Sequence, residues 1–150
     1  MDQLVTKLKQ DYPYLSFSAG AAACWSPEKR QIYYSPDSDY QASAGLLHEV
    51  AHALLGHQSY DTDVDLLKKE VAAWQKAVEI APNYGLRLNT EYIQDCLDTY
   101  RNWLHKRSSC PACHANGIQG TESYQCLTCG HQWRVSASRL ARPYRRSHGI

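Results

Sequence analysis

Apolar positions recur with helical spacing at the start of the chain and in strand-like runs soon afterwards. Residues 2–10 place their apolar side chains on one face of a helix, which predicts a short amphipathic helix. Two strands are predicted at Phe17–Trp25 and Gln31–Ser35, because a Pro-containing turn separates two runs of strand-forming residues. The chain is therefore expected to begin with one helix and a pair of strands.

Three longer helices are predicted after the strands, each with a residue suited to cap or end it. Side-chain oxygens of Asp, Asn or Thr satisfy the free amides at a helix start, and glycine commonly ends a helix. The predicted helices are 40–55, ended by Gly56; 62–80, capped by Asp61 or Thr62; and 90–106, capped by Asn89. Helices with a small sheet indicate the α+β class.

Four cysteines form two Cys-x-x-Cys pairs in the last third of the chain. Cys110 and Cys113 are followed, after twelve residues, by Cys126 and Cys129. Two such pairs are typical of a closed, structural zinc site in a zinc ribbon. The alternative is a redox-active dithiol, but the sequence around these cysteines lacks the βαβ unit in which a thioredoxin-like dithiol lies.

The balance of charge changes sign where these cysteines begin. Residues 1–109 hold 11 Lys and Arg against 14 Asp and Glu, whereas residues 110–150 hold five Arg against one Glu. We therefore predict a main domain at 1–107, a zinc ribbon at 108–136 and a basic tail at 137–150. Because arginine pairs well with phosphate, the tail makes a nucleic acid a candidate partner, with a solvated tail as the alternative.

The segment GLLHEVAHALLGH, at residues 45–57, contains the pattern with the clearest chemistry. His48 and His52 lie one turn apart on one helical face and are suited to hold one zinc ion. Glu49 is the candidate general base for a water that the zinc activates. The helix is apolar on nearly every side, so its polar residues need a partner when buried. The pattern predicts a catalytic zinc site, with a chance match as the alternative.

A catalytic zinc site needs a third protein ligand and keeps one position open. His57 comes one position too early for the metzincin pattern and is predicted to lie at the helix end, near the helix dipole. The nearby acids Asp61, Asp63 and Asp65 are better explained as a loop and a helix start. Glu70 is the stronger candidate, because small residues share its helical face and allow two helices to approach closely.

The opposite face of the Glu70 helix is predicted to pack in the core. The small residues that share the Glu70 face are Ala73 and Ala77, and the predicted core face comprises Leu67, Val71, Trp74 and Val78.

HEVAHALLGH, followed by a helical Glu70, resembles the ImmA/IrrE-type metallopeptidases, which are gluzincins. The resemblance covers about residues 15–80. It implies a minimal zincin-like domain with His48, His52 and Glu70 as zinc ligands and Glu49 as general base. It also implies that an extended peptide pairs with the edge of a strand.

These observations favour a zinc-dependent endopeptidase that carries one catalytic and one structural zinc ion. Glu49 would take a proton from the attacking water and pass it to the leaving amine. The substrate would be a protein or peptide, such as a regulatory or DNA-bound protein. One alternative is a SprT-like, DNA-associated protease, although its third ligand is a later histidine and none occurs between His57 and His105. The other is a nucleic-acid or protein adaptor that binds through its ribbon and has a vestigial HExxH site.

The sequence contains no run of about 20 apolar residues, the length needed to span a bilayer. The first residues also lack the apolar segment of a signal peptide. We therefore expect a cytoplasmic protein without a membrane partner.

Overall fold

A computed structural model describes residues 1–136 and the backbone of Arg146 and Ser147. This part of the chain contains four α-helices and two small sheets, so the predicted α+β class is confirmed. The predicted basic tail, 137–150, otherwise lies outside the described residues. The elements are α1 (Asp2–Asp11), β1 (Ser16–Ala19), β2 (Cys24–Ser26), β3 (Gln31–Tyr34), α2 (Tyr40–Leu54), α3 (Asp63–Ile80), a 3-10 turn (Ala81–Tyr84), α4 (Thr90–Ser108), β4 (Gly117–Gln119), β5 (Ser123–Cys126), β6 (Gln132–Arg134) and β7 (Arg146–Ser147).

The first predicted strand is in fact two strands on opposite sides of β3. The sheet order is β1-β3-β2, with β1 parallel and β2 antiparallel to β3. The chain must therefore leave β1 and cross before β2 begins, and residues 20–23 make that crossing. These four residues are all small, so no alternation of apolar and polar positions was present from which the division into two strands could be predicted.

The chain divides into two compact units. Unit 1 comprises Met1–Ser59 and Lys68–Ile93, and unit 2 comprises Tyr60–Leu67 and Gln94–Ile150. Helices α3 and α4 each contribute residues to both units. The boundary predicted at residue 107, between a main domain and a ribbon, stays a prediction.

The core of unit 1 lies where α2 packs against its sheet. Leu8 of α1, Ile32 of β3 and Leu46, Leu47 and Val50 of α2 are fully buried. Burying a side chain of this size removes apolar surface from water and contributes about 1.5–3 kcal/mol. The apolar positions around the HExxH pattern thus form the centre of this core, as their composition predicted.

Unit 2 has a small core formed by Cys110, Tyr124, Cys126 and Trp133. The sheet places Tyr124 opposite Trp133, with their rings stacked at 5.7 Å. Gly117 of β4 lies so close to the Trp133 ring that a Cβ at this position would collide with it. Glycine is therefore required here by close approach.

A buried ion pair accompanies this core in unit 2. Arg107 Nε donates to Asp63 Oδ2 at 2.7 Å, and both side chains are only 4 % exposed. Tyr124 donates its hydroxyl to the same Asp63 oxygen at 2.6 Å, and Arg107 also contacts the carbonyl of Ser136. The Trp103 ring lies beneath the Arg107 guanidinium at 4.6 Å. Each charge is thus matched by a partner, as burial requires.

No helix in the described part of the chain combines the length and the apolar character that crossing a membrane would require.

Candidate metal centres

Helix α2 is defined at both ends by capping interactions. Asp39 accepts a hydrogen bond from the backbone of Ala42 at 2.7 Å, which satisfies one of the free amides at the helix start. At the other end, Gly56 adopts a left-handed conformation, with φ of +64°. The helix ends there because glycine tolerates this conformation without a steric penalty. The predicted stop at Gly56 is therefore confirmed.

Glu70 lies on the buried face of α3, together with Ala73, Trp74 and Ala77. The proposed small-residue face is thus buried, but Trp74 belongs to it and not to an opposite core face. Val78, expected in the core, is 46 % exposed. The predicted core face of α3 is therefore confirmed for Trp74, which is buried, and wrong for Val78; Leu67 and Val71 are only partly buried. Trp74 follows Glu70 by four residues, a spacing that places both side chains on the same helical face.

His48, His52 and Glu70 come together as one group whose candidate ligand atoms all lie within 4.8 Å of one another. The Nε2 atoms of the two histidines are 3.1 Å apart, and Glu70 Oε2 is 3.1 Å from His48 Nε2. Glu70 Oε1 is 3.5 Å from His52 Nε2. Zinc bonds of about 2.0–2.2 Å in a tetrahedron would separate neighbouring ligand atoms by roughly 3.4 Å. The three residues therefore fit a zinc ion.

The environment of this group favours a cation. Burial would raise the pKa of Glu70, but hydrogen bonding to His48 and His52 outweighs burial and lowers that pKa well below its usual range. Glu70 is thus a carboxylate in a buried position. The buried Nδ1 of His48 has no hydrogen-bond partner among the described residues. The His48 ring is instead held by stacking on Trp74, with centroids 4.2 Å apart.

Glu49 is not part of this group and has a different partner. Its Oε2 accepts a hydrogen bond from the backbone amide of Trp25 at 2.8 Å. Trp25 lies in β2, which is an edge strand of its sheet. Burial and the negative charge of Glu49 together raise the pKa of the Cys24 thiol. The carboxylate of Glu49 is therefore fixed by the backbone of the sheet.

His57 contacts His52, a contact that the sequence did not suggest. The Nδ1 atoms of the two rings are 2.9 Å apart. The carbonyl of His57 also accepts a hydrogen bond from the Trp25 indole at 2.9 Å. The predicted place just beyond the helix is confirmed, but the histidine there faces another ring. The sequence did contain a signal for this contact: in a glycine-ended helix, the residue after the glycine packs on the residue five positions earlier, and for His57 that residue is His52.

The acids Asp61, Asp63 and Asp65 are not members of a metal-binding group among the described residues. Thr62 caps α3, because its hydroxyl accepts from the amide of Asp65 at 3.1 Å. Asp63 is instead the buried partner of Arg107. The burial of Asp63 could not be predicted, because no neighbouring residue distinguishes it from Asp61 and Asp65.

The four cysteines of the two Cys-x-x-Cys pairs form the second group. Cys110 Sγ lies 3.7 Å from Cys129 Sγ, and Cys113 Sγ lies 3.5 Å from Cys126 Sγ. Zinc–sulfur bonds of about 2.3 Å in a tetrahedron would separate the sulfurs by roughly 3.8 Å, whereas a disulfide would bring them to about 2.0 Å. Amides of Cys129 and Thr128 lower the pKa of Cys126 to about 6, which favours its thiolate, whereas the pKa values of Cys113 and Cys129 are raised beside the other thiols. The group therefore fits a four-thiolate zinc site.

Comparison with family models, with curated proteins and with solved structures gave no match to this chain.

Proposed function

We propose that this protein is a zinc-dependent endopeptidase with a minimal zincin-like domain, as the resemblance to ImmA/IrrE-type metallopeptidases implies. One observation carries the proposal: His48, His52 and Glu70 direct ligand atoms at a common point from two helices. Glu49 lies next to the first ligand in sequence yet has its own partner outside that group. Three ligands with a separate carboxylate are the arrangement that metal-assisted hydrolysis requires.

A zinc ion held by His48, His52 and Glu70 would supply a Lewis acid that polarises a peptide carbonyl and lowers the pKa of a water. Glu49 takes the proton of that water and delivers it to the leaving amine. Because the amide of Trp25 occupies Oε2, the proton is received at Oε1. The amide also keeps the carboxylate from rotating, so that the base is positioned before substrate binds.

Unit 1 contains a cavity of about 330 Å³ that is available to a substrate peptide. Trp25 and His57 line it, so it adjoins residues that contact Glu49 and His52. Tyr14, Pro27 and Arg30 complete much of its wall. An aromatic and apolar wall with one cation suits the side chain of a bound peptide, while its backbone pairs with the edge of a strand.

The four-cysteine group has a structural role in this proposal. Its ligands leave no open position for a water or a substrate. A core of four side chains in a sheet of very short strands is too small to fold readily without a metal.

Replacing the base tests the proposed chemistry. Glu49→Gln keeps the shape of the side chain but cannot take a proton, so we expect cleavage of fluorescein-labelled casein to fall about 10²- to 10⁴-fold. Metal analysis should still find two zinc ions per chain. Glu28→Gln, which alters an exposed acid in the turn after β2, is the control and should cleave as the parent does. Full activity in the Glu49 variant would refute the proposal.

Replacing the third ligand tests the metal site itself. Glu70→Ala removes the only carboxylate of the group His48, His52 and Glu70, so we expect zinc content to fall from two ions per chain to one. Glu79→Gln alters an exposed acid on the same helix and should keep both ions. If Glu70→Ala retains two tightly bound ions, the third ligand is another residue.

A further inference from the structure

The end of α2 is a Schellman motif, and this motif determines where His57 lies. The amide of His57 donates to the carbonyl of His52 at 3.0 Å, and the amide of Gly56 donates to the carbonyl of Ala53 at 3.1 Å. These are the two hydrogen bonds that define the motif. In it, the residue after the glycine packs on the residue five positions earlier. That contact is usually apolar; here it joins two imidazole rings.

The contact with His57 bears on which ring nitrogen of His52 carries a hydrogen. Its Nε2 faces His48 and Glu70, whereas its Nδ1 lies 2.9 Å from Nδ1 of His57. A histidine binds a metal through a nitrogen that carries no hydrogen, so Nε2 must be free and Nδ1 must carry the hydrogen. That Nδ1–H then needs an acceptor, and His57 Nδ1 is in position to accept it.

His48 and His52 are therefore held in different ways. His48 Nδ1 has no hydrogen-bond partner among the described residues, and its ring is oriented by stacking on Trp74. The His52 ring is held through a hydrogen bond at its outer nitrogen. Metal-binding histidines commonly donate their outer nitrogen to a carboxylate or a carbonyl, which sets both tautomer and orientation. An imidazole takes that place here.

We propose that His57 is a positioning residue that accepts the Nδ1–H of His52 and thereby presents His52 Nε2 to the metal. The inference rests on the proposed metal site at His48, His52 and Glu70. The backbone of His57 is fixed by the helix end and its carbonyl by the Trp25 indole. The acceptor is thus held in place before any metal binds.

Two substitutions separate the acceptor from the packing contact. His57→Leu keeps an apolar contact of the kind that a Schellman motif favours but has no acceptor. His57→Asn replaces the Nδ1 acceptor by a side-chain oxygen at nearly the same distance from the backbone. Binding of Co²⁺ alone, followed through its visible absorption, measures affinity at the histidine–glutamate site. The thiolate charge-transfer band reports the four-cysteine site in the same sample and serves as an internal control.

We expect His57→Leu to weaken Co²⁺ binding at the histidine–glutamate site about 10- to 100-fold, the range found when outer partners of metal ligands are removed. His57→Asn should recover most of this loss, and the four-cysteine band should be unchanged in both variants. In the zinc-loaded parent, imidazole ¹H–¹⁵N NMR should show a slowly exchanging Nδ1–H on His52, because His57 accepts its hydrogen bond. The Leu variant should exchange this hydrogen faster.

Equal Co²⁺ affinity in parent and His57→Leu would overturn the role of His57 and leave the proposed metal site intact. A zinc-loaded parent whose His52 Nδ1–H exchanges as fast as in His57→Leu would also overturn it, because the hydrogen bond to His57 would then be absent. A parent that binds Co²⁺ at the four cysteines alone would refute the metal site and, with it, the role of His57.

Discussion

Asp63 is the clearest case of a single residue whose role depends on distant partners. It receives hydrogen bonds from Arg107 and Tyr124, which follow it by 44 and 61 residues. No local pattern marks it, because Asp61 and Asp65 nearby have the same side chain. The pair His48 and His52 was predictable, since helix geometry alone sets the spacing of two ligands on one face. The contacts of Asp63 with Arg107 and Tyr124 were not, because only folding brings these residues together.

The Asp63–Arg107 pair leads to a prediction about stability. Arg107→Met removes one partner and leaves Asp63 as a buried charge, so we expect the free energy of unfolding to fall by about 3–5 kcal/mol. Arg101→Met is the matched control, because Arg101 forms an ion pair with Asp98 on the helix surface and should cost at most about 0.5 kcal/mol. Urea unfolding measures both. Similar values for the two variants would contradict the prediction.

Secondary-structure elements were predicted best where capping and periodicity agree. The helix starts at Asn89 and Thr62 are confirmed, because each side chain accepts a hydrogen bond from an amide in its helix. Helix α3 shows where the pattern was incomplete. Trp74 is buried as its apolar side chain predicted, but it also lies one turn from Glu70 and covers a histidine ring, whereas Val78 is exposed. The role of Trp74 could not be predicted without knowing which helix faces it.

The two glycines of the HExxH segment should respond oppositely to alanine. Gly56→Ala forces a side chain into a left-handed conformation and should destabilise the protein by about 1–2 kcal/mol. Gly45→Ala lies inside α2, where the added Cβ would make an ordinary contact with Ala23 at 3.6 Å. Alanine favours helix there, so this variant should be stabilised by up to about 1 kcal/mol. Thermal unfolding measures the stability of both variants. A Gly56→Ala variant as stable as the parent would contradict the role of Gly56 in ending the helix.

At the scale of the whole molecule, each unit contains one candidate metal group. The group with His48, His52 and Glu70 belongs to unit 1, and the four cysteines belong to unit 2. The two differ in ligand number and in chemistry, because three mixed ligands leave an open position and four thiolates do not. His48, His52 and the four cysteines were predictable because they have short, regular spacings, whereas Glu70 was predicted from the small residues that share its helical face.

Metal removal should therefore proceed in two steps. A mild chelator is expected to remove zinc from the three-ligand site first and to abolish peptide cleavage while the four-thiolate site stays filled. A stronger chelator should then unfold the small sheet of unit 2, because its core includes two of the ligands themselves. Zinc release and circular dichroism follow the two steps. Loss of both ions in a single step would contradict this order.

A truncated chain tests the boundary predicted at residue 107. Fragment 1–107 keeps Asp63 and Arg107 but lacks Tyr124 and the carbonyl of Ser136 that they contact. It also loses the bond from the Trp133 indole to the carbonyl of Arg107, at 2.9 Å. We expect faster amide hydrogen exchange at residues 94–107 in the fragment than in the full chain. Equal protection would instead support an independent domain ending at 107.

The stacking of Trp74 on His48 offers an optical test of the candidate metal group. Because the indole lies 4.2 Å from the His48 ring, we expect its fluorescence to fall if a paramagnetic ion such as Cu²⁺ or Co²⁺ binds there, whereas Zn²⁺ should leave emission largely intact. Replacing Trp74 by phenylalanine preserves an aromatic contact and should remove the quenching that belongs to this group, leaving that of Trp133 beside the four cysteines. Occupancy of the site can thus be followed by emission in unlabelled protein, without any assay of cleavage.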